Sequence, residues 1–429
     1  MVEATALLVQ RRKYNEPDLL DEFAALATTA DYDIIGSFDV VSNPSAKFGI
    51  RSGKAEEIKE WIEVNTPDFV LFSPRLKSSQ VFRLMELWDT EVRDRTQVIL
   101  EIFDKHASTQ QAKLQIEQAR LEYELPFERH QIRMRLQKEH TGDRPVAEQI
   151  GAGEDLLNLR IKDLRRRISN ISDKLDKIST AQALKKKKRV KEGFIEIAIA
   201  GYTNAGKSTL HHALTDSNVE IADKLFTTLA TKAADLDIPG RQIVLSDSVG
   251  FISDLPPSLL QAFNTTLMEV GDADIILLVV DSSDSVDEIT RKLDACLDTF
   301  NEIGANGVPI IGVLNKIDQI TPEQLEERVE LLTDISTEVV NISALNKTNL
   351  NDLIVAIEHL LPALTLYSIS LPYGDHSMAI ISRLHEDAII ESESYNEDHI
   401  LITAQLNYEA FEQLSKELTT GSISKINPE

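Results

Sequence analysis

A single cysteine, Cys296, in 429 residues excludes an intrachain disulfide and a thiolate metal cluster, and makes a reducing cytoplasm the expected compartment. Long hydrophobic runs are also missing. The longest strongly apolar stretch, Ile275 to Val280, is far short of the roughly 20 residues a membrane helix needs. The opening MVEATALLVQRRK carries its basic residues after the apolar stretch, the reverse of a secretory signal. These absences lead to the expectation of a soluble, cytoplasmic protein with no membrane partner. What remains is ordinary globular composition, 42% hydrophobic and 27% charged, in a chain long enough for about two to four domains.

Basic residues are the minority, 45 Lys+Arg against 70 Asp+Glu for a net charge of -25, and the shortage is uneven. Residues 1–192 hold 33 basic and 32 acidic side chains, leaving 12 and 38 for residues 193–429. Within the balanced part, residues 129–192 carry 18 basic against 9 acidic. Such an island suits contact with a polyanion. It equally suits a solvated helical hairpin of mixed charge, and composition leaves both open. Adaptation to a salt-rich cytoplasm is a further reading of the acidic remainder.

Periodicity divides the chain into four segments, with an overall α/β class. Residues 1–106 alternate β-rich runs (ATALLVQ at 4, DIIGSFDVV at 33, PDFVLF at 67, TQVILEI at 96) with helical stretches, predicting a small parallel sheet covered by helices. Residues 107–191 turn helical, with one apolar stripe at Leu114, Ala119, Leu121 and Leu125 and another from Leu156 to Ile178. Two long helices folded as a hairpin follow. The second is expected to begin after Gly151-Ala152-Gly153, and KKKKRVK at 185–191 to serve as a linker. Residues 192–362 contain strands apolar on both faces, IEIAIAG, RQIVLSD, ADIILLVVD, PIIGVLN and TEVVNIS, which suit a buried parallel sheet. Residues 363–429 read as strand, helix, two strands and helix, a small α/β domain.

The sharpest chemistry lies at Gly201, Tyr202, Thr203, Asn204, Ala205, Gly206, Lys207 and Ser208, followed by Thr209. This fits G-x-x-x-x-G-K-[ST] between a strand and a helical run. Glycines let backbone N–H groups approach phosphates, Lys207 can bridge the β- and γ-phosphates, and Ser208 can ligate Mg2+. Asp247 and Gly250 form a D-x-x-G at the end of RQIVLSD; the carboxylate reaches Mg2+ through water and the glycine N–H can meet the γ-phosphate. Asn315, Lys316 and Asp318 form N-K-x-D after PIIGVLN, where a carboxylate accepts from guanine N1 and the 2-amino group, a donor pair adenine lacks. Ser343 and Ala344 would back the base with a main-chain N–H. Each element falls at a strand's C-terminal end, where α/β sheets bind ligands, and together they predict a P-loop GTPase domain cycling between GTP and GDP.

Beyond these motifs, the chain resembles the HflX family of ribosome-associated GTPases. The resemblance is carried by FGIRSGKAEEI at 48, VRDRTQVILEIFDKHAST at 92, LQIEQARLEYELP at 114, GAGEDLL at 151, NAGKSTL at 204, LFTTLAT at 225 and DSVGFISDLP at 247. The family usually has DTVGF where Ser248 stands, and GPGETQLE where this chain has GAGEDLLN. The resemblance implies that Thr228 ligates Mg2+ and senses the γ-phosphate, acting in catalysis with Lys207 and Gly250. It implies binding to the large ribosomal subunit and its RNA through the hairpin, in splitting or rescue of stalled ribosomes or in subunit assembly, and the chain itself is expected to be a monomer. An RNA-binding assembly chaperone with a mainly regulatory nucleotide cycle is the alternative. The candidate RNA contacts are Arg129, Arg133, Arg135, Arg160 and Arg165. Asn204 matches an asparagine that holds K+ in related GTPases, so K+ is a candidate second ion. Phe251, after D-x-x-G, cannot orient an attacking water as a glutamine would. In the N-terminal segment, Gly49, Gly53 and Lys54 lack phosphate-loop spacing and read as a structural turn.

Overall fold

A computed structural model describes residues 4–140, 147–191, 193–215, 232–248, 250–253, 270–418 and 421–426. The described residues fall into two compact units, one running through Ile178 and one from Ser179 onward.

In the first unit, β1 (Ala4–Arg12), β2 (Tyr32–Val41), β3 (Phe69–Ser73) and β4 (Glu91–Asp94) pair in the order β2-β1-β3-β4, all parallel. Helices Leu20–Thr29, Ser52–Asn65 and Ser78–Trp88 make the crossovers, and Leu7, Val9, Ile58, Phe72, Leu84 and Trp88 share one core. The run TQVILEI is not a strand, contrary to its β-branched composition; it lies in helix Arg95–His106. The reason is local. Asp94 caps the helix by accepting from the Gln97 N–H at 3.2 Å, while Gln97 Oε1 accepts from the Asp94 N–H at 3.1 Å, a reciprocal cap that outweighs a weak β preference. Gly49 sits at φ +78 in a two-way backbone bridge with Ser45, and Lys54 pairs with Glu57 at 2.6 Å, the geometry of a turn entering a helix.

Helices Gln110–His140 and Ala147–Lys191 follow. Leu121, Leu164 and Ile171 form their shared core, with Leu114, Leu125, Ile168 and Leu175 packed against it, so the two apolar stripes meet as periodicity requires. Gly151-Ala152-Gly153 does not precede the second helix but lies inside it, and KKKKRVK continues it. Each glycine costs about 1 kcal/mol in a helix interior, a penalty that 45 residues of otherwise good helix formers can absorb.

In the second unit, β5 (Ile195–Gly201), β6 (Lys232–Ile238), β7 (Arg241–Asp247), β8 (Ile275–Asp281), β9 (Ile310–Asn315) and β10 (Glu338–Asn341) form a sheet in the order β10-β9-β8-β5-β7-β6. All neighbours are parallel except β6 on β7. β8 is buried along six consecutive residues, as a central strand covered on both faces should be. β6 has no counterpart in the sequence reading: KAADLDI is half polar, as an antiparallel edge strand can be. The final domain is antiparallel, with β11 (Thr365–Pro372), β12 (Ile389–Tyr395), β13 (His399–Leu406) and β14 (Ser422–Lys425) in the order β12-β13-β11-β14. Alternate residues Ile400, Ile402, Ala404 and Leu406 pack with Leu384 and Leu414 of its two helices. β14, only four residues long, extends the pattern read from sequence by one strand. No helix among the described residues is long and apolar enough to cross a membrane.

Candidate nucleotide site

β5 ends at Gly201 and the next helix begins at Lys207, so Tyr202 to Gly206 turn the chain directly above the sheet. Both loop glycines are obligatory. Gly201 has φ +145 and a Cβ there would stand 2.3 Å from the Val279 carbonyl oxygen; Gly206 has φ +92 and its Cβ would stand 2.2 Å from Asn315 Nδ2. Asn204, also left-handed at φ +63, is exposed, whereas Tyr202, Thr203 and Ala205 are buried. Thr209 is half-buried on the helix behind.

Lys207 is buried, and its ammonium donates to the Tyr202 carbonyl at 2.7 Å. Burial pulls its pKa down, opposed by the charge of Asp247. A desolvated cation resting on a neutral carbonyl stands to gain from an anion placed within reach. Ser208 Oγ donates to Asp247 Oδ2 at 2.8 Å, gathering two hard oxygen donors of the kind Mg2+ takes. Gly250 leaves no room beside the loop: a Cβ there would come within 2.8 Å of Thr203 Cγ2 and 3.0 Å of Lys207 Nζ. Ser248 is buried with its hydroxyl donating to the Ile199 carbonyl at 2.7 Å, a bond that threonine could also make. Thr228 lies outside the described residues.

Phe251 is fully buried, edge-on to Phe300 at 5.6 Å between ring centroids. Its ring therefore serves the core, and its backbone pairs with the phosphate loop: its N–H donates to the Gly201 carbonyl at 3.0 Å and its carbonyl accepts from the Thr203 N–H at 2.8 Å.

At the neighbouring strand end, Asn315 is buried and spans two segments. Its Nδ2 donates to the Ala205 carbonyl at 2.9 Å and its Oδ1 accepts from the Ala344 N–H at 3.0 Å. Lys316, left-handed at φ +64, pairs with Asp281 at 2.5 Å. Asp318 is exposed in the short turn Ile317–Gln319. Buried Ser343 accepts at Oγ from the Asn346 N–H at 3.2 Å. Two contributors were not singled out in the sequence: Asp281, and Ser282, whose hydroxyl and N–H both donate to the Asn315 carbonyl at 2.6 and 2.9 Å. Their position closing the all-apolar strand β8 is the signal that could have found them.

The hairpin arginines divide. Arg129, Arg160 and Arg165 are exposed; Arg160 stands 3.6 Å from Glu128, and the adjacent Arg167 pairs with Glu117 at 3.0 Å across the hairpin. The side chains of Arg133 and Arg135 lie outside the described residues.

A parallel sheet with a phosphate loop at an inner strand, a D-x-x-G glycine against the loop lysine and an N-K-x-D asparagine bonded to the loop define a P-loop GTPase. Three family descriptions match the chain: "GTP-binding GTPase N-terminal" over residues 17–104, "GTP-binding GTPase Middle Region" over 106–189 and "50S ribosome-binding GTPase" over 196–316. GTPase HflX of Thermococcus kodakarensis is 39% identical over 81% of this chain and 78% of its own length. GTPase HflX of Thermofilum pendens is 37% identical over 83% and 84%. A GTP-binding protein of Sulfolobus solfataricus solved with GDP is 30% identical, covering 83% of this chain and 98% of that one, with a TM-score of 0.45. The chain belongs to the HflX family of GTPases, and the reaction is hydrolysis of GTP.

Proposed function

We propose that the chain is a GTP-operated switch that binds the large ribosomal subunit when loaded with GTP and leaves after hydrolysis, in ribosome splitting or rescue or in subunit assembly. The observation that carries the switch is Gly250 standing against Lys207. A γ-phosphate held by Lys207 falls within reach of the Gly250 N–H, and GDP lacks that group. The subunit is suggested by the words "50S ribosome-binding GTPase" attached to the family matching residues 196–316, and the contact by the exposed hairpin arginines Arg129, Arg160 and Arg165.

In this reading residues 1–106 form the N-terminal domain, 107–191 the hairpin, 192–362 the GTPase domain and 363–429 the C-terminal domain. The loop Gly201 to Thr209 cradles the phosphates, and Asp318 reads guanine with Asn315, Lys316, Ser343 and Ala344 around it. GTPase domains generally use Mg2+ with the nucleotide, and here Ser208 and Thr228 would ligate it, with Asp247 acting through water. With Phe251 committed to the core, no side chain directly after D-x-x-G orients water. Help then comes from the ribosome, the switch backbone or a K+ ion beside the exposed Asn204, where it would sit near charge developing between the β- and γ-phosphates.

GTP turnover measured with and without isolated large subunits tests the switch. Strong stimulation is expected; none would favour the assembly chaperone, whose work is done by the hairpin. Equal rates in KCl and NaCl at matched ionic strength would remove K+ from the site.

A further inference from the structure

Tyr202 fills a position that the phosphate-loop pattern leaves open to any residue, yet here it is 4% exposed and held from three directions. Its hydroxyl donates to Ser253 Oγ at 3.0 Å and accepts from the Ser253 N–H at 2.8 Å. Arg291, on helix Val286–Ile303, donates from Nη1 to the Tyr202 hydroxyl at 3.3 Å and also to Ser253 Oγ. The Arg291 guanidinium and the Lys292 ammonium lie 5.3 and 5.4 Å from the tyrosine ring centroid, contacts of cation–π type. These two cations are themselves fixed, Arg291 by Glu288 at 2.5 Å and Lys292 by Asp284 at 2.7 Å.

The same residue touches the reacting side of the loop through its backbone, since the Tyr202 carbonyl accepts from Lys207 Nζ at 2.7 Å. Ser253 lies three residues beyond Gly250, and Phe251 between them is bonded to Gly201 and Thr203 on either side of Tyr202. One anchored side chain therefore governs two groups: the peptide on which Lys207 rests and the far end of the segment that presents the Gly250 N–H. Fixing donors before the charge develops is how such groups lower a barrier.

We propose that Tyr202, clasped by Ser253 and Arg291, is a positioning residue for GTP hydrolysis that sets Lys207 and the Gly250 N–H for the γ-phosphate. This rests on the reading of the loop as the GTP site. GDP keeps the β-phosphate that Lys207 would hold but lacks the γ-phosphate that the Gly250 N–H would meet, so loss of the clasp should lower hydrolysis more than GDP affinity. A hydroxyl that merely satisfies the core would show no such separation.

The test is Tyr202→Phe in the full chain, which keeps the ring and removes the hydroxyl. Single-turnover GTP hydrolysis should fall about tenfold, the rate equivalent of one well-placed hydrogen bond, while GDP affinity, which never uses the Gly250 contact, should fall by clearly less. Ser253→Ala should fall less, because its N–H still holds the Tyr202 hydroxyl, and the double variant should be no slower than Tyr202→Phe alone. A Tyr202→Phe protein with wild-type hydrolysis overturns the proposal. So does a rate loss matched by an equal loss of GDP affinity, or additive losses in the double variant. A wild-type chain that fails to bind GTP refutes the site itself, an outcome visible before any variant is compared.

Discussion

The Asn315 side-chain amide donates to the Ala205 carbonyl at 2.9 Å, joining residues 110 positions apart. The N-K-x-D turn and the phosphate loop are thus one hydrogen-bonded body, and the second bond of Asn315, from the Ala344 N–H, adds the next strand end to it. Gly206 is small because this amide passes over it at a distance no Cβ could accept.

Asn315→Ala should therefore weaken GTP and GDP alike. It strips a buried carbonyl and a buried N–H of their partners, a loss of about 2 kcal/mol and roughly thirtyfold in affinity. Titration of both nucleotides checks this; a loss confined to GTP would place Asn315 in γ-phosphate sensing instead of loop architecture.

Asp318→Asn tests base choice. The amide would set a donor against guanine N1–H, lowering GTP affinity by about 1–3 kcal/mol, while the 2-oxo group of a xanthine nucleotide can accept from it. Competition between the two nucleotides should reverse in the variant. Unchanged GTP affinity would show that the base lies elsewhere.

The nucleotide motifs were legible because each is a short run fixed to the end of an apolar strand, and strands such as IEIAIAG and PIIGVLN, buried on both faces, announce themselves. What escaped depends on partners distant in sequence. TQVILEI looks extended until Asp94 and Gln97 cap it. KAADLDI shows only half an apolar pattern because it borders the sheet. The Tyr202–Ser253–Arg291 clasp joins residues 51 and 89 positions apart, so no local spacing could reveal it. The glycines at 151 and 153 mislead in the opposite direction, their turn preference overridden by the long helix around them.

Asp94 anchors the first unit. Fully buried, it accepts from the Tyr123 hydroxyl at 2.8 Å, the Leu76 N–H at 3.2 Å and the Gln97 N–H at 3.2 Å. Asp94→Ala should cost about 2–4 kcal/mol, a helix cap plus donors left unpaired, and Tyr123→Phe about 1 kcal/mol. Burial raises the Asp94 pKa above its ordinary 3.8 against the pull of these donors. Folding therefore takes up a proton between the ordinary 3.8 and the raised folded-state pKa, and the Asp94 contribution is complete below 3.8 and is lost as pH rises through the folded-state pKa. Denaturant titrations of both variants across acidic pH check the magnitudes and the slope; an Asp94→Ala chain as stable as wild type would contradict the assignment.

Cys296 offers a simpler pH test. Burial pushes its thiol from an ordinary 9.0 up to about 12, so the folded state favours the neutral form. Its contribution to stability is complete below pH 9.0 and is lost as pH rises toward about 12. At pH 8 a thiol-reactive dye should label the denatured chain readily and the native chain only at the rate of unfolding. Rapid native labelling would show Cys296 to be accessible.

The central claim, a switch whose hold on the large subunit is set by the γ-phosphate, is tested most directly by co-sedimentation of the full chain with isolated large ribosomal subunits, comparing a non-hydrolysable GTP analogue with GDP. Because the second unit's acidic residues repel RNA, binding should run through the basic hairpin and weaken as salt rises. The protein should pellet with the subunits when bound to the analogue and remain in the supernatant with GDP, and removal of residues 129–153 should abolish pelleting while leaving GTP binding intact. Equal pelleting with both nucleotides would contradict the switch.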